Sequence, residues 1–169
     1  MSAAGAAIRL LVIALAALTA GCGFQLRGSG GDLEPLSPLF VRDAADAALA
    51  PTLIEALRAS GARLSPSAAE ARTVLVLEQE QQTKRLSVVG DQGQALEYEL
   101  NYRIRFRVED GSGETLLEPQ TVGLSRDQAL DRTRPLSISA EEEAIREEMR
   151  QEAAYLVIQR LRGLKPASA

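Results

Sequence analysis

Histidine and tryptophan are absent from the 169 residues, cysteine occurs once, and three tyrosines with three phenylalanines hold the aromatic share to 4%. Each shortage excludes something. A lone thiol closes no internal disulfide, and without histidine it has no Cys–His partner and no ordinary zinc site to join. So few aromatics leave little from which to build a sugar-stacking platform or an aromatic cage. No Gly-x-Ser-x-Gly elbow, metal-ligand spacing or glycine-rich phosphate loop is present. A hydrolase made from Ser, Asp and Glu therefore ranks last among the readings, and neither catalysis nor a cofactor is expected.

What is present begins with Arg9 and an unbroken apolar run from Leu10 to Leu18, closed by small residues. The run is far short of the roughly 20 residues needed to span a bilayer as a helix, so it reads as an export signal over residues 1–21. The single cysteine, Cys22, follows directly. Leu18-Thr19-Ala20-Gly21-Cys22 resembles the lipobox of bacterial lipoproteins, with Thr19 standing where that box prefers leucine. The resemblance implies cleavage before Cys22 and acylation of both its thiol and its new amino group. Several acyl chains hold a protein stably where one binds only marginally. In enterobacterial-type sorting, aspartate after the cysteine retains the protein in the inner membrane; Gly23 stands there, so outer-membrane delivery is expected. The alternative for Cys22 is a buried, inert thiol in a secreted domain.

Removing residues 1–21 leaves 148, enough for one core and too few for two. The precursor carries a net charge of −4, and without Arg9 the balance becomes 18 basic against 23 acidic residues. Nucleic acid is thus disfavoured as a partner, and an anionic ligand needs a local basic patch. Residues 22–38 are rich in Gly, Ser and Pro and read as a tether, in which Phe24 and Leu26 either belong to the leader or dock on a partner or lipid. Residues 39–164 read as a single domain, and 165–169 as a frayed tail.

Within that domain, Leu39–Asp43 is a short strand candidate, and Leu49, Leu53, Ile54 and Leu57 recur at helical spacing over about 50–60, with Pro51 in the first turn and Gly61 past the end. Thr73–Val89 opens apolar and continues polar and extended up to the Gly90-Asp91-Gln92-Gly93 turn. Leu96, Tyr98, Leu100, Tyr102, Ile104, Phe106 and Val108 then alternate without a break with Glu97, Glu99, Asn101, Arg103, Arg105 and Arg107. That is a long strand with one buried and one wet face, and Thr73–Val89 is its hairpin partner. The polar half of the partner implies a hairpin end projecting beyond the core. Glu109–Gly113 is a second turn, leading to a strand near 115–126 in which Pro119 demands an edge or a bulge. Asp127–Leu136 reads as loop. Ser139 and Glu142 have capping-box spacing ahead of a helix marked by Ile145, Met149, Ala153, Leu156, Val157, Leu161 and Leu164. The run Glu141–Glu143 suits a helix N-terminus and not a catalytic pair. The fold class is α+β: a long antiparallel or mixed four-stranded sheet with two helices packed on one face.

In this order the segments "GCGFQLRG", "LIEALRASGARL", "ALEYELNYRIRFRVED", "LSRDQALD" and "EEEAIREEMRQEAAYLVIQRL" resemble the LptE family of lipopolysaccharide-assembly lipoproteins over nearly the whole mature chain. The resemblance implies an outer-membrane protein that faces the periplasm, plugs the lumen of the LptD β-barrel one-to-one, assists its assembly and binds lipopolysaccharide. It places ligand contacts on basic side chains near the long hairpin's tip and in the loop before the last helix. Here the tip holds Asp91 and no cation, so the candidates by neighbourhood are Lys84, Arg85, Arg126, Arg132 and Arg134. Arg103, Arg105 and Arg107 are candidates for the surface facing the barrel lumen; such a row either meets phosphates or pairs with acids on neighbouring strands. A rival reading is a free-standing, lipid-tethered periplasmic binding module without a barrel partner.

Overall fold

A computed structural model describes residues 33–130 and 135–164. The apolar leader, Cys22, Phe24, Leu26, Arg132, Arg134 and the tail at 165–169 lie outside the described residues. Among the described residues four strands form one sheet in the order β1 (Leu39–Asp43), β2 (Thr73–Val89), β3 (Ala95–Asp110) and β4 (Thr115–Ala129). Helix α1 (Leu49–Ala59) connects β1 to β2, and α2 (Pro135–Arg162) follows β4. The crossover through α1 lets β1 pair parallel with β2, while β2–β3 and β3–β4 are antiparallel.

The alternation expected along β3 is realised at Leu100, Tyr102, Ile104, Phe106 and Val108, all at 1% exposure or less. They share one core with Leu75 and Leu77 of β2, Leu49, Leu53 and Leu57 of α1, and Met149, Ala153, Val157 and Leu161 of α2. Both helices therefore cover the same face. At the start of β2 the opposite face is also covered: Val74 and Val76 pack with Ala71, Phe40 and Ala68. Burial on both sides explains the unbroken apolar run there. Helix α1 ends where Gly61 takes φ 83°, with the Gly61 N–H on the Arg58 carbonyl and the Ala62 N–H on that of Leu57. This closure needs a residue tolerant of left-handed backbone.

Three boundaries differ from the sequence reading. Leu33 and Leu36 are at 0% and 2% exposure, and the Ser37 hydroxyl donates to the Leu33 carbonyl while accepting the Arg63 N–H. Residues 33–38 therefore belong to the domain and not to a tether; Leu33 caps and Leu36 ends a short 3-10 turn that closes the core despite its Gly- and Pro-rich surroundings. Strand β4 continues through Asp127, Gln128 and Ala129, because Glu99, Tyr98 and Glu97 of the long β3 offer them backbone partners that polar side chains do not preclude. Helix α2 begins at Pro135, four residues before Ser139, and a proline fits a first helical turn without losing a hydrogen bond. Ser139 is thus inside the helix, and the Glu141–Glu143 run lies beyond its first turn.

Pro119 meets both of its expectations. Strand β4 is an edge strand, and between Phe106↔Gln120 and Val108↔Leu117 two residues of β4 face the single residue Arg107.

Candidate functional site

Beyond Leu77, β2 leaves β1 behind and runs on with β3 as a projecting hairpin. Its geometry depends on one residue. Between Leu77↔Phe106 and Gln79↔Arg105 a bulge leaves Glu78 unopposed, so the side-chain alternation of β2 changes phase. After it, Glu80, Gln82, Lys84 and Leu86 lie opposite the helix-facing residues of β3, whereas Gln79, Gln81, Thr83 and Arg85 lie opposite the outer row Arg105, Arg103, Asn101 and Glu99.

The candidate cations are consequently not one cluster. Lys84 lies on the helix side, its Nζ 2.6 Å from Glu142 and 4.3 Å above the centre of the Tyr98 ring. Arg85, next in sequence, lies on the other face with its Nε 2.6 Å from Glu99, which also accepts the Ser125 hydroxyl. Those bonds, led by Arg85, hold the Glu99 carboxyl below its usual range. Arg126 pairs with Glu152 of α2 and shares a cross-strand row with Lys84, on either side of Leu100. Glu142 bonds both Lys84 and Arg146, in that order of weight, and its carboxyl is likewise lowered.

On the outer face the arginine row is largely paired, as strand acids often pair it. Arg105 reaches Glu78 at 2.9 Å, and Arg107 bonds Glu78 and, at 2.7 Å, Glu109, which also holds Arg42 at 3.2 Å. Among the described residues Arg103 has no acidic partner. It separates two open hollows of about 220 and 150 Å³, the first lined by Gln81, Thr83, Arg85 and Asn101, the second by Gln79, Gln81, Arg105 and Thr121. The sequence reading placed Asn101 on the wet face but missed Gln79, Gln81, Thr83 and Thr121. Their signal was the strict alternation of β3, which fixes its outer row, but the Glu78 bulge that brings them opposite it has no compositional mark.

The arrangement is a polar surface with donors and acceptors along one sheet face. Among the described residues no group of three His, Cys, Asp or Glu side chains is placed to hold a metal ion, and the two hollows on this face are shallow.

The profile of the LptE family, described as lipopolysaccharide-assembly, matches residues 36–161. Among solved structures, rare lipoprotein B of Shewanella oneidensis is similar at 26% identity, TM-score 0.63, over 73% of this chain and 92% of that one. Lipoprotein B of Nitrosomonas europaea is similar at 25% identity, TM-score 0.70, over 83% and 88%. A minor lipoprotein of Acinetobacter baumannii shares the fold at 22% identity and TM-score 0.63, over 78% and 96%. No curated protein matches the chain. With three-quarters of its length inside the family profile and its sheet and helices shared with these lipoproteins, the chain belongs to the LptE family and serves lipopolysaccharide assembly.

Proposed function

We propose that the protein is an outer-membrane lipoprotein, acylated at Cys22 after removal of residues 1–21, that plugs the lumen of an LptD β-barrel, assists its assembly and binds lipopolysaccharide in transit to the outer leaflet. The observation that carries this reading is the β2–β3 hairpin with its polar outer face. Barrel lumens are polar and wet, and barrels of more than about 20 strands are wide enough to need filling. Beyond Leu77 the remaining 12 residues of β2, 78–89, extend about 40 Å at roughly 3.3 Å each, more than the roughly 30 Å hydrocarbon core of a bilayer. A ribbon of this length reaches through a lumen from one side to the other. Nothing in the side-chain inventory provides a catalytic alternative.

Lipopolysaccharide contact is assigned to Lys84 and Arg126, which flank Leu100 on the helix side, with Arg132 and Arg134 a few residues beyond the end of β4. Arg85, on the opposite face, is a separate contact. Phosphate groups compete there with Glu142, Glu152 and Glu99 for cations that are already paired.

The test is affinity isolation of the full-length protein from outer membranes in mild detergent. Recovery of the barrel in one-to-one proportion is expected, and a Cys22→Ala chain should lose palmitate labelling and accumulate as precursor or soluble protein. A monodisperse lipoprotein without a barrel points instead to a free-standing binding module, and unchanged membrane partition of the Cys22→Ala chain overturns the anchor.

A further inference from the structure

Resting on the barrel-plug reading, we propose that Arg103 is the docking point for a single carboxylate presented by the lumen wall of the partner barrel. Every other arginine within the four strands is already matched. Arg85 is held by Glu99, Arg105 by Glu78, Arg107 by Glu78 and Glu109, and Arg42 by Glu109. Arg103 is exposed and among the described residues has no acid within reach. The Glu99 and Glu78 carboxylates are committed: Glu99 accepts from Arg85 and Ser125, and Glu78 from two arginines.

The row through Arg103 is also open on one side. Its cross-strand neighbours are Gln81 on β2 and Gly123 on β4. Gly123 contributes no side chain, and a Cβ placed there stands 3.9 Å from the Arg103 Cγ, which is ordinary contact. The glycine therefore leaves open space beside the aliphatic stem of Arg103 that the backbone does not require, since its φ is outside the left-handed region. Gln81 lines both hollows, with Thr83 and Asn101 in one and Thr121 in the other. These neutral groups hydrogen-bond a carboxylate oxygen without cancelling the charge of Arg103.

The number of free cations selects the ligand. A guanidinium fork fits one carboxylate through two parallel bonds. A phosphorylated disaccharide needs several unpaired cations together, and among the described strand arginines Arg103 alone lacks an acidic partner, so an acidic side chain on a protein surface is the occupant that the charge complements.

The experiment uses the full-length lipoprotein co-expressed with its barrel. Arg103→Glu is expected to lower barrel recovery roughly tenfold, as expected when one partner of a desolvated interfacial charge pair is reversed. Arg103→Lys, which keeps the charge and loses the fork, should fall between. Gly123→Val fills the gap with a residue suited to a strand and should lower recovery while thermal unfolding stays within a few degrees of wild type. A photo-crosslinking residue at position 103 should capture the barrel, and an acid-to-arginine change in the captured segment should restore the Arg103→Glu chain. Wild-type recovery by both Arg103→Glu and Gly123→Val, or crosslinking to lipopolysaccharide alone, overturns the assignment. Failure of the wild-type chain to recover any barrel overturns the plug reading itself.

Discussion

Tyr102 shows how a single residue joins the core to the hairpin. Its ring is 1% exposed between the sheet and the helices, yet its hydroxyl donates to the Glu80 Oε1 at 2.6 Å. The other carboxylate oxygen of Glu80 accepts the backbone N–H of Ala48, at the start of α1. Burial, with Glu80 beside it, pushes the Tyr102 hydroxyl far above the usual phenol range, so it remains a donor at every working pH. Tyr102→Phe keeps the ring and removes the donor, leaving Glu80 short of a partner. The expected cost is about 1–2 kcal/mol, read as a lower urea midpoint with an unchanged slope. A midpoint equal to wild type shows that water replaces the tyrosine. The buried tyrosine was legible from the alternation of β3. Its acidic partner was not, because the Glu78 bulge decides that Glu80 turns inward.

At the scale of elements, α2 is two helices in one. From Met149 to Leu161 it packs through Met149, Ala153, Ala154, Val157, Ile158 and Leu161, whereas in the preceding turns Ile145 is only partly buried against the core and charged and amide side chains hold the hairpin. Glu142 bonds Lys84 and Arg146, and Arg146 in turn bonds Gln82 at 2.7 Å. The apolar half was legible at i, i+4 spacing. The polar half was not, since its partners are assigned by cross-strand register and not by any local pattern. The same limit explains why "SISAEEE" read as a cap while the helix starts at Pro135. The folded state lowers the Glu142 carboxyl, so its contribution is fully present above the ordinary value of 4.5 and is lost as pH falls through the lowered one. Glu147, lowered by Gln151 and then Arg150, adds the same sign. Amide exchange over residues 138–148, corrected for intrinsic rates, should therefore accelerate on acidification below that range, while 149–161 stays protected. Glu142→Gln should remove most of the pH dependence. Equal protection of both halves at low pH contradicts the division.

For the whole molecule the decisive fact is that stability and reach are located in different places. The core lies at the base, where residues 33–38 close it and the chain leads back toward Cys22. The far end contributes little burial: Leu86, Val88, Val89 and Leu96 are 46%, 41%, 54% and 40% exposed. Each half-exposed aliphatic side chain gives up part of the roughly 1.5–3 kcal/mol available on full burial, so natural selection for stability alone gives no reason to keep such a ribbon. A shortened protein separates the two roles. Arg85 and Glu99 stand directly opposite each other, so residues 86–98 can be replaced by a two-residue Asn-Gly turn without moving the register below them. The truncated chain should unfold within several degrees of wild type, because Leu100, Ile104 and Phe106 keep their partners in the core. If reach through a lumen is what the ribbon supplies, the same chain should lose most of its barrel in affinity isolation despite being folded and lipidated. Full barrel recovery by a shortened, folded chain places the contact on the base of the domain and removes the hairpin from the mechanism.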